Sequence, residues 1–145
     1  MNILLRSAKI IDSNSKFHNQ KMDILIKKGI ISEIGKKLDL PGNCKEIQLT
    51  NLHVSNGWFD TSVSLGEPGY EERETIENGL KTAAYSGFTS VAVNSNTNPI
   101  IDSNSNITFL NSKANNNAVS LLPIGALTIG SKGEYLAELY DMSTA

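Results

Sequence analysis

The sequence predicts an α/β fold in two parts, and the change between them falls near residue 53. Before this point, short apolar stretches separated by polar and glycine residues are typical of β-strands. After it, segments of strand character alternate with segments of helical periodicity, which is the signal of parallel βα units. We therefore expect two domains, over residues 1–53 and 54–145.

The first domain is predicted to consist of β-structure. Residues 27–29 read Lys-Lys-Gly, and glycine can supply the positive φ that a tight hairpin turn needs. The strands on either side of this turn are therefore expected to form a hairpin. The predicted strands cover residues 3–5, 8–11, 22–26 and 30–34.

The second domain begins with a predicted strand over residues 54–63 and a helix over residues 74–86. Apolar residues of this helix recur at i, i+4, i+7 and i+8, which places them on one buried face. Gly87 follows at the position where a left-handed residue often ends a helix. The apolar residues of the buried face are Ile76, Leu80, Ala83 and Ala84.

Two further strand–helix pairs follow along the chain. A strand over residues 88–93 precedes a helix for which Asp102 or Ser103 is a suitable N-cap. A third strand over residues 119–126 precedes a third helix over residues 134–142. Three such pairs leave an open parallel sheet with an exposed edge. We expect this sheet to be covered by the remainder of a longer chain, of which this is the N-terminal part, or by self-association.

Residues 60–69 resemble a known family. They read Asp-Thr-Ser-Val-Ser-Leu-Gly-Glu-Pro-Gly and are similar to the first barrel strand of dihydroorotases of the multifunctional-complex type, where Asp-x-His-x-His-Leu-Arg-Glu-Pro-Gly is usual. The resemblance implies the first βα units of a (β/α)8 TIM barrel, preceded by part of a small β-sandwich domain. A closed barrel needs eight such units and about 250 residues. The resemblance continues through residues 74–79, 83–91, 96–102, 122–128 and 132–139.

In active members of this family, the two histidines bind zinc, and an arginine and an asparagine orient the substrate carboxylate. Here Ser62 and Ser64 stand at the histidine positions, and Gly66 stands at the arginine position. A serine hydroxyl is neutral at pH 7 and is a poor ligand for zinc, which prefers imidazole, thiolate and carboxylate groups. The resemblance therefore implies a site that has lost its metal ligands, and we expect neither a cofactor nor a catalytic residue in this chain.

Other polar positions near the motif have two interpretations each. Asn96 aligns with the family's substrate-contacting asparagine, although Ser95 replaces the proline before it, and asparagine is also common in turns. Asp60 is expected to support the site structurally. Ser62 and Ser64 either bind a different ligand or are simply small strand residues, and the second interpretation is favoured because a nucleophilic serine needs a neighbouring base.

Composition limits the classes of partner. The net charge of −2, without any Lys/Arg-rich run, argues against a nucleic-acid partner. Cys44 is the only cysteine, so an internal disulfide is excluded. No apolar run reaches the roughly 18 residues of a membrane helix, and the N-terminus does not resemble a signal peptide. We therefore expect a cytoplasmic protein without a membrane partner.

The resemblance implies a dihydroorotase-like protein of de novo pyrimidine biosynthesis that is catalytically inactive. Some members of the family are inactive partners of aspartate carbamoyltransferase, and the same structural role is expected here. The alternative is an active zinc-dependent cyclic amidohydrolase that acts on dihydroorotate or another cyclic amide. It requires ligands from the missing C-terminal part or from another subunit, because His18 and His53 cannot form a His-x-His pair.

Overall fold

The computed structural model describes residues 2–145, which form two compact units with their boundary between Asn56 and Gly57. The first unit is a five-stranded sheet. Its strands are β1 (Asn2–Ile11), β2 (Lys21–Lys27), β3 (Ile30–Gly35), β4 (Cys44–Gln48) and β5 (His53–Ser55). Their order is β3-β2-β1-β4, with β5 also paired to β1. Neighbours β1, β2 and β3 are antiparallel, whereas β4 and β5 run parallel to β1.

The predicted hairpin between β2 and β3 is confirmed. Lys28 and Gly29 both have positive φ, 52° and 80°, as a two-residue type I′ turn requires. The predicted stretches 3–5 and 8–11 belong to one strand, β1, whose register shifts between Leu5 and Ala8. Such a bulge keeps a strand continuous while interrupting its side-chain alternation, which is why the sequence pattern shows two pieces.

A buried carboxylate fixes the centre of the first unit. Asp23 accepts hydrogen bonds from Ser7 N–H at 2.9 Å, Leu38 N–H at 3.1 Å and Arg6 Nη1 at 2.6 Å. Arg6 also donates through Nε to Glu46 on β4. Burial by itself raises the pKa of the Asp23 carboxyl, but the hydrogen bonds from Ser7, Arg6 and Leu38 outweigh burial and hold this pKa below its ordinary value.

The second unit is a parallel three-stranded sheet whose strands alternate with helices along the chain. Its elements are β6 (Trp58–Val63), α1 (Ile76–Tyr85), β7 (Phe88–Val93), α2 (Asn104–Ala114), β8 (Ser120–Pro123), a single 3₁₀ turn (Ile129–Ser131) and α3 (Leu139–Ser143). The strand order is β6-β7-β8. The apolar core lies between one face of the sheet and the helices, with Ile76, Leu80, Val93, Leu110 and Val119 almost fully buried.

The helix ends follow the sequence signals. Thr75 caps α1, its hydroxyl accepting from Asn78 N–H at 3.3 Å, and Gly87 follows the helix with a φ of 90°. Ser103 is the N-cap of α2, as predicted, although its hydroxyl pairs with the Ser105 hydroxyl at 3.1 Å. Within residues 2–145, none of the helices has the length and apolar character needed to cross a membrane.

Two predicted elements of the second part were wrong. The strand over residues 54–63 is two strands, because β5 pairs with β1 in the first unit whereas β6 pairs with β7 in the second. The helix predicted over residues 134–142 begins only at Leu139, as α3. The residues before it are not helical, because Leu136 forms an isolated antiparallel bridge with Thr128 and Ala137 N–H donates to Leu127 O at 3.0 Å. The third strand is also shorter than predicted, ending at Pro123.

Candidate functional site

Polar side chains meet where β6 and β7 end. Ser62 lies on β6 and Ser64 directly follows it, whereas Asn94 directly follows β7 and Asn96 lies two residues further along. Asn94 N–H donates to Val63 O at 2.8 Å and so continues the pairing of the two strands beyond their ends. In βα barrels, ligands and reacting groups are held at this carboxyl end of the strands.

The four side chains form one hydrogen-bonded group, which we call the polar cluster (Ser62, Ser64, Asn94, Asn96). Asn94 Nδ2 donates to Ser62 Oγ at 3.1 Å and to Ser64 Oγ at 3.3 Å. Asn96 Nδ2 donates to Ser64 Oγ at 3.1 Å. The structure therefore brings together the predicted site residues Ser62, Ser64 and Asn96.

Asn94 was not among the predicted site residues. Its sequence signal is its place directly after the buried run Val91–Val93, where a polar residue marks the end of a strand. That signal alone does not identify the hydroxyls with which it pairs, because the pairing depends on the register between β6 and β7.

Asp60 contacts the backbone beside the polar cluster. Its Oδ1 accepts a hydrogen bond from Ser62 N–H at 3.0 Å. Aspartate often forms a local turn of this kind, in which its carboxylate binds the backbone N–H two residues later. This contact fixes the backbone at Ser62, and the structural role of Asp60 stays a prediction.

Gly66 lies in a backbone environment that leaves no room for a side chain. Its N–H donates to Glu74 O at 2.9 Å, and its carbonyl accepts from Tyr70 N–H at 2.8 Å. A Cβ at Gly66 would lie 1.9 Å from Tyr70 O and 3.0 Å from Glu74 O. An arginine at this position therefore requires the loop after β6 to adopt another backbone path.

The same loop is anchored to both neighbouring helices and to the loop after β7. Glu67 is buried, accepts from Ile76 N–H at 3.0 Å and pairs with Lys113 Nζ at 2.8 Å. The hydrogen bond to Glu67 raises the pKa of Lys113 above its ordinary value. Pro68 O accepts from Asn98 N–H at 3.0 Å. Glu67 and Pro68 thus hold the loop in place.

The donor set at this site does not fit zinc. Within residues 2–145, no three His, Cys, Asp or Glu side chains lie close enough together to hold a metal ion. The polar cluster offers neutral hydroxyl and amide groups, and both histidines of the chain belong to the first unit. One of them, His18, accepts a hydrogen bond through Nδ1 from Asp12 N–H at 3.1 Å.

The cluster also lacks the arrangement of a serine nucleophile. The groups hydrogen-bonded to Ser62 Oγ and Ser64 Oγ are amide N–H donors, which cannot accept a hydroxyl proton. An open groove of about 330 Å³ adjoins Ser64 between β6 and α1, and its lining includes Leu65, Ala83, Phe88 and Val91. The chemistry available to the cluster is therefore hydrogen bonding.

A protein-family model described as "Dihydro-orotase-like" matches residues 53–145. A dihydroorotase from Ruminiclostridium cellulolyticum is 39% identical over 146 residues, which cover 100% of this chain and 34% of that protein. A dihydroorotase from Citrifermentans bemidjiense is 38% identical with the same coverage. The chain thus spans about a third of the length of these relatives.

Solved structures share the fold. An L-hydantoinase (dihydropyrimidinase) from Arthrobacter aurescens matches with a TM-score of 0.74 at 19% identity, over 87% of this chain and 28% of that chain. A D-hydantoinase (dihydropyrimidinase) from Thermus sp. matches with a TM-score of 0.68 at 25% identity, over 91% and 29%. The likeness confirms the predicted fold class, the N-terminal part of an α/β barrel preceded by part of a β-sandwich.

Proposed function

This chain belongs to the dihydroorotase-like family, and we propose that it is a non-hydrolytic member that serves as a structural partner of aspartate carbamoyltransferase in pyrimidine biosynthesis. The proposal separates the family's scaffold, which this chain keeps in its first βα units, from the family's metal chemistry. Each half of the proposal has its own support and its own test.

The observation that carries the first half is the hydrogen bonding of Ser62 and Ser64. A zinc hydrolase needs anionic or imidazole ligands, and the metal then lowers the pKa of bound water to about 7. Here the two positions that the family uses for metal-binding histidines carry hydroxyls, and these already accept hydrogen bonds from asparagine amides. Nothing in this pairing supplies a charge that attracts a cation.

The surroundings of Gly66 give independent support. The family's arginine at this position grips the substrate carboxylate, and here a Cβ would lie 1.9 Å from Tyr70 O. In this loop conformation, a side chain at position 66 that could bind the substrate carboxylate is sterically excluded. Loss of the metal ligands and loss of the anion-binding residue together favour a role without hydrolysis.

The observation that favours a scaffold role is the packing of the loops beside the site. The ion pair between Glu67 and Lys113 and the hydrogen bond from Asn98 to Pro68 keep the loops beside the site packed. A surface that is held in a fixed shape and carries no catalytic groups suits a partner protein. We therefore propose aspartate carbamoyltransferase, the partner of inactive family members, as the protein it binds.

The first experiment measures zinc by elemental analysis and dihydroorotate hydrolysis on the purified full-length protein, which includes any ligands that lie outside these 145 residues. We expect neither zinc nor turnover in the native protein. The S62H/S64H variant, with Gly66 unchanged, is the positive control for metal loading. Near-stoichiometric zinc with turnover in the native protein would instead favour the alternative, an active cyclic amidohydrolase whose ligands come from outside this sequence.

The second experiment measures association with aspartate carbamoyltransferase from the same organism by sedimentation at micromolar concentration. We expect a complex that persists after treatment with a chelator, because the proposed contact needs no metal. A failure to associate contradicts the scaffold role and leaves the conclusion about metal unaffected.

A further inference from the structure

We infer that Asn94 is the residue on which the polar cluster depends, and that its amide cross-links the ends of β6 and β7 at the position where the family holds a metal. This inference rests on the proposed absence of metal chemistry. It adds that hydrogen bonds between neutral side chains take the place of the metal. Asn94, Ser62 and Ser64 link the two strand ends, and we call these three hydrogen-bonded side chains the clasp.

Asn94 makes more hydrogen bonds within the polar cluster than Asn96 does. A side-chain amide has two N–H hydrogens, and those of Asn94 go to two different acceptors, Ser62 Oγ at 3.1 Å and Ser64 Oγ at 3.3 Å. Asn96 makes one contact with the cluster, to Ser64 Oγ at 3.1 Å. Removal of the Asn94 side chain therefore leaves Ser62 without an amide donor and Ser64 with only that of Asn96, whereas removal of Asn96 leaves the bridge to both serines.

The backbone places the Asn94 amide where it can bridge. Asn94 N–H donates to Val63 O at 2.8 Å, which holds the start of the Asn94 side chain beside the residue between the two serines. Asp60 Oδ1 accepts from Ser62 N–H at 3.0 Å and fixes the strand on the other side. Ser62 and Ser64 lie two residues apart on extended chain, so their side chains share a face and both reach one amide.

A clasp of this kind differs from a metal cross-link in a measurable way. Metal ligation depends on an added ion, whereas neutral amide–hydroxyl bonds depend only on the side chains that make them. If the clasp stabilises the fold, the effects of the Asn94 and serine substitutions on the free energy of unfolding must be non-additive. Coupling between Asn96 and Ser62 is expected to be small, because their contacts with the cluster are separate.

The test is a set of double-mutant cycles on the 145-residue chain, followed by urea denaturation. The variants are N94A, N96A, S62A and S64A, with the pairs N94A/S62A, N94A/S64A and N96A/S62A. We expect N94A to lower the folding equilibrium constant about tenfold, because two hydrogen bonds to exposed serines contribute at the low end of the usual net range. The N94A/S62A and N94A/S64A pairs should be non-additive, and N96A/S62A should be additive.

A second measurement covers the case in which a variant fails to fold. Side-chain amide protons can be followed by NMR in the unmodified ¹⁵N-labelled chain. The Asn94 NH₂ protons should exchange with solvent more slowly than those of Asn14, an exposed asparagine in the first unit. Equal exchange at Asn94 and Asn14, or additive behaviour of both Asn94 cycles, overturns the clasp.

Failure of the clasp and failure of the proposed function give different results. Additive cycles in a chain that is free of zinc remove the clasp and leave the non-hydrolytic role standing. Zinc in the native chain, with turnover, removes the non-hydrolytic role whatever the cycles show.

Discussion

Glu67 and Lys113 form a 2.8 Å ion pair that joins the loop after β6 to the last turn of α2. The other carboxylate oxygen of Glu67 accepts from Ile76 N–H at 3.0 Å, at the first residue of α1. The side chain of Glu67 is 9% exposed and that of Lys113 is 50% exposed. One buried carboxylate therefore sets the position of two helices relative to the loop that carries Gly66.

Replacing Glu67 with alanine should lower the free energy of unfolding by about 1–3 kcal/mol, because the buried Ile76 N–H loses its acceptor. Glu67→Gln should cost less, since its amide oxygen can still accept that hydrogen bond. Urea denaturation measures both variants, and Glu72→Ala, at an exposed position of the same loop, is the matched control. Wild-type stability of Glu67→Ala would show that the carboxylate does not hold the helix.

Replacing Gly66 with alanine should destabilise the chain by about 1–3 kcal/mol, as other overpacking substitutions do. The cause is the backbone of Tyr70, whose carbonyl oxygen would lie 1.9 Å from the new Cβ. Gly42→Ala is the control, because a Cβ there meets nothing within 4 Å. Thermal and urea unfolding of the two variants should therefore diverge, and similar stabilities would mean that the loop can move at little cost.

The local elements of the second unit were the most predictable part of the fold. β7 has the predicted bounds, because its apolar run is delimited by Gly87 and by polar Asn94. α1 lies within its predicted range, because its apolar spacing and end signals agree. In both cases the information is contained within about ten neighbouring residues, which is the range over which sequence patterns act.

What the sequence did not reveal depends on pairing between distant residues. Val54 and Phe59 both suit strands, and only their partners in β1 and β7 assign them to different sheets. The stretch before α3 has helix-forming residues, but the bridge between Thr128 and Leu136 overrides that preference. The contacts of Asn94 with Ser62 and Ser64 likewise depend on the register between β6 and β7.

Acid should destabilise the first unit through Asp23. The hydrogen bonds hold the folded-state pKa of Asp23 below its unfolded value, so the associated stability is present above the unfolded pKa and is lost as the pH falls through the folded one. Unfolding free energies between neutral pH and about pH 2 should therefore fall less steeply for Asp23→Asn than for the wild type. Asp39→Asn, at an exposed site, should follow the wild-type curve. Parallel curves for all three proteins would assign the acid sensitivity to other carboxylates.

The S62H/S64H variant should respond to zinc, and Asn94 should lose its importance in it. Two histidines on one strand face can chelate zinc, and binding to the folded state alone stabilises it by about 2.7 kcal/mol when free zinc is 100 times the dissociation constant. The same substitutions remove both hydroxyls to which Asn94 donates. N94A should therefore be nearly neutral in the S62H/S64H background, although we expect it to weaken folding about tenfold in the native chain. Urea denaturation of the four proteins, each with zinc and with chelator, measures both effects. An equal cost of N94A in the two backgrounds would show that Asn94 stabilises the chain through contacts other than the serine hydroxyls.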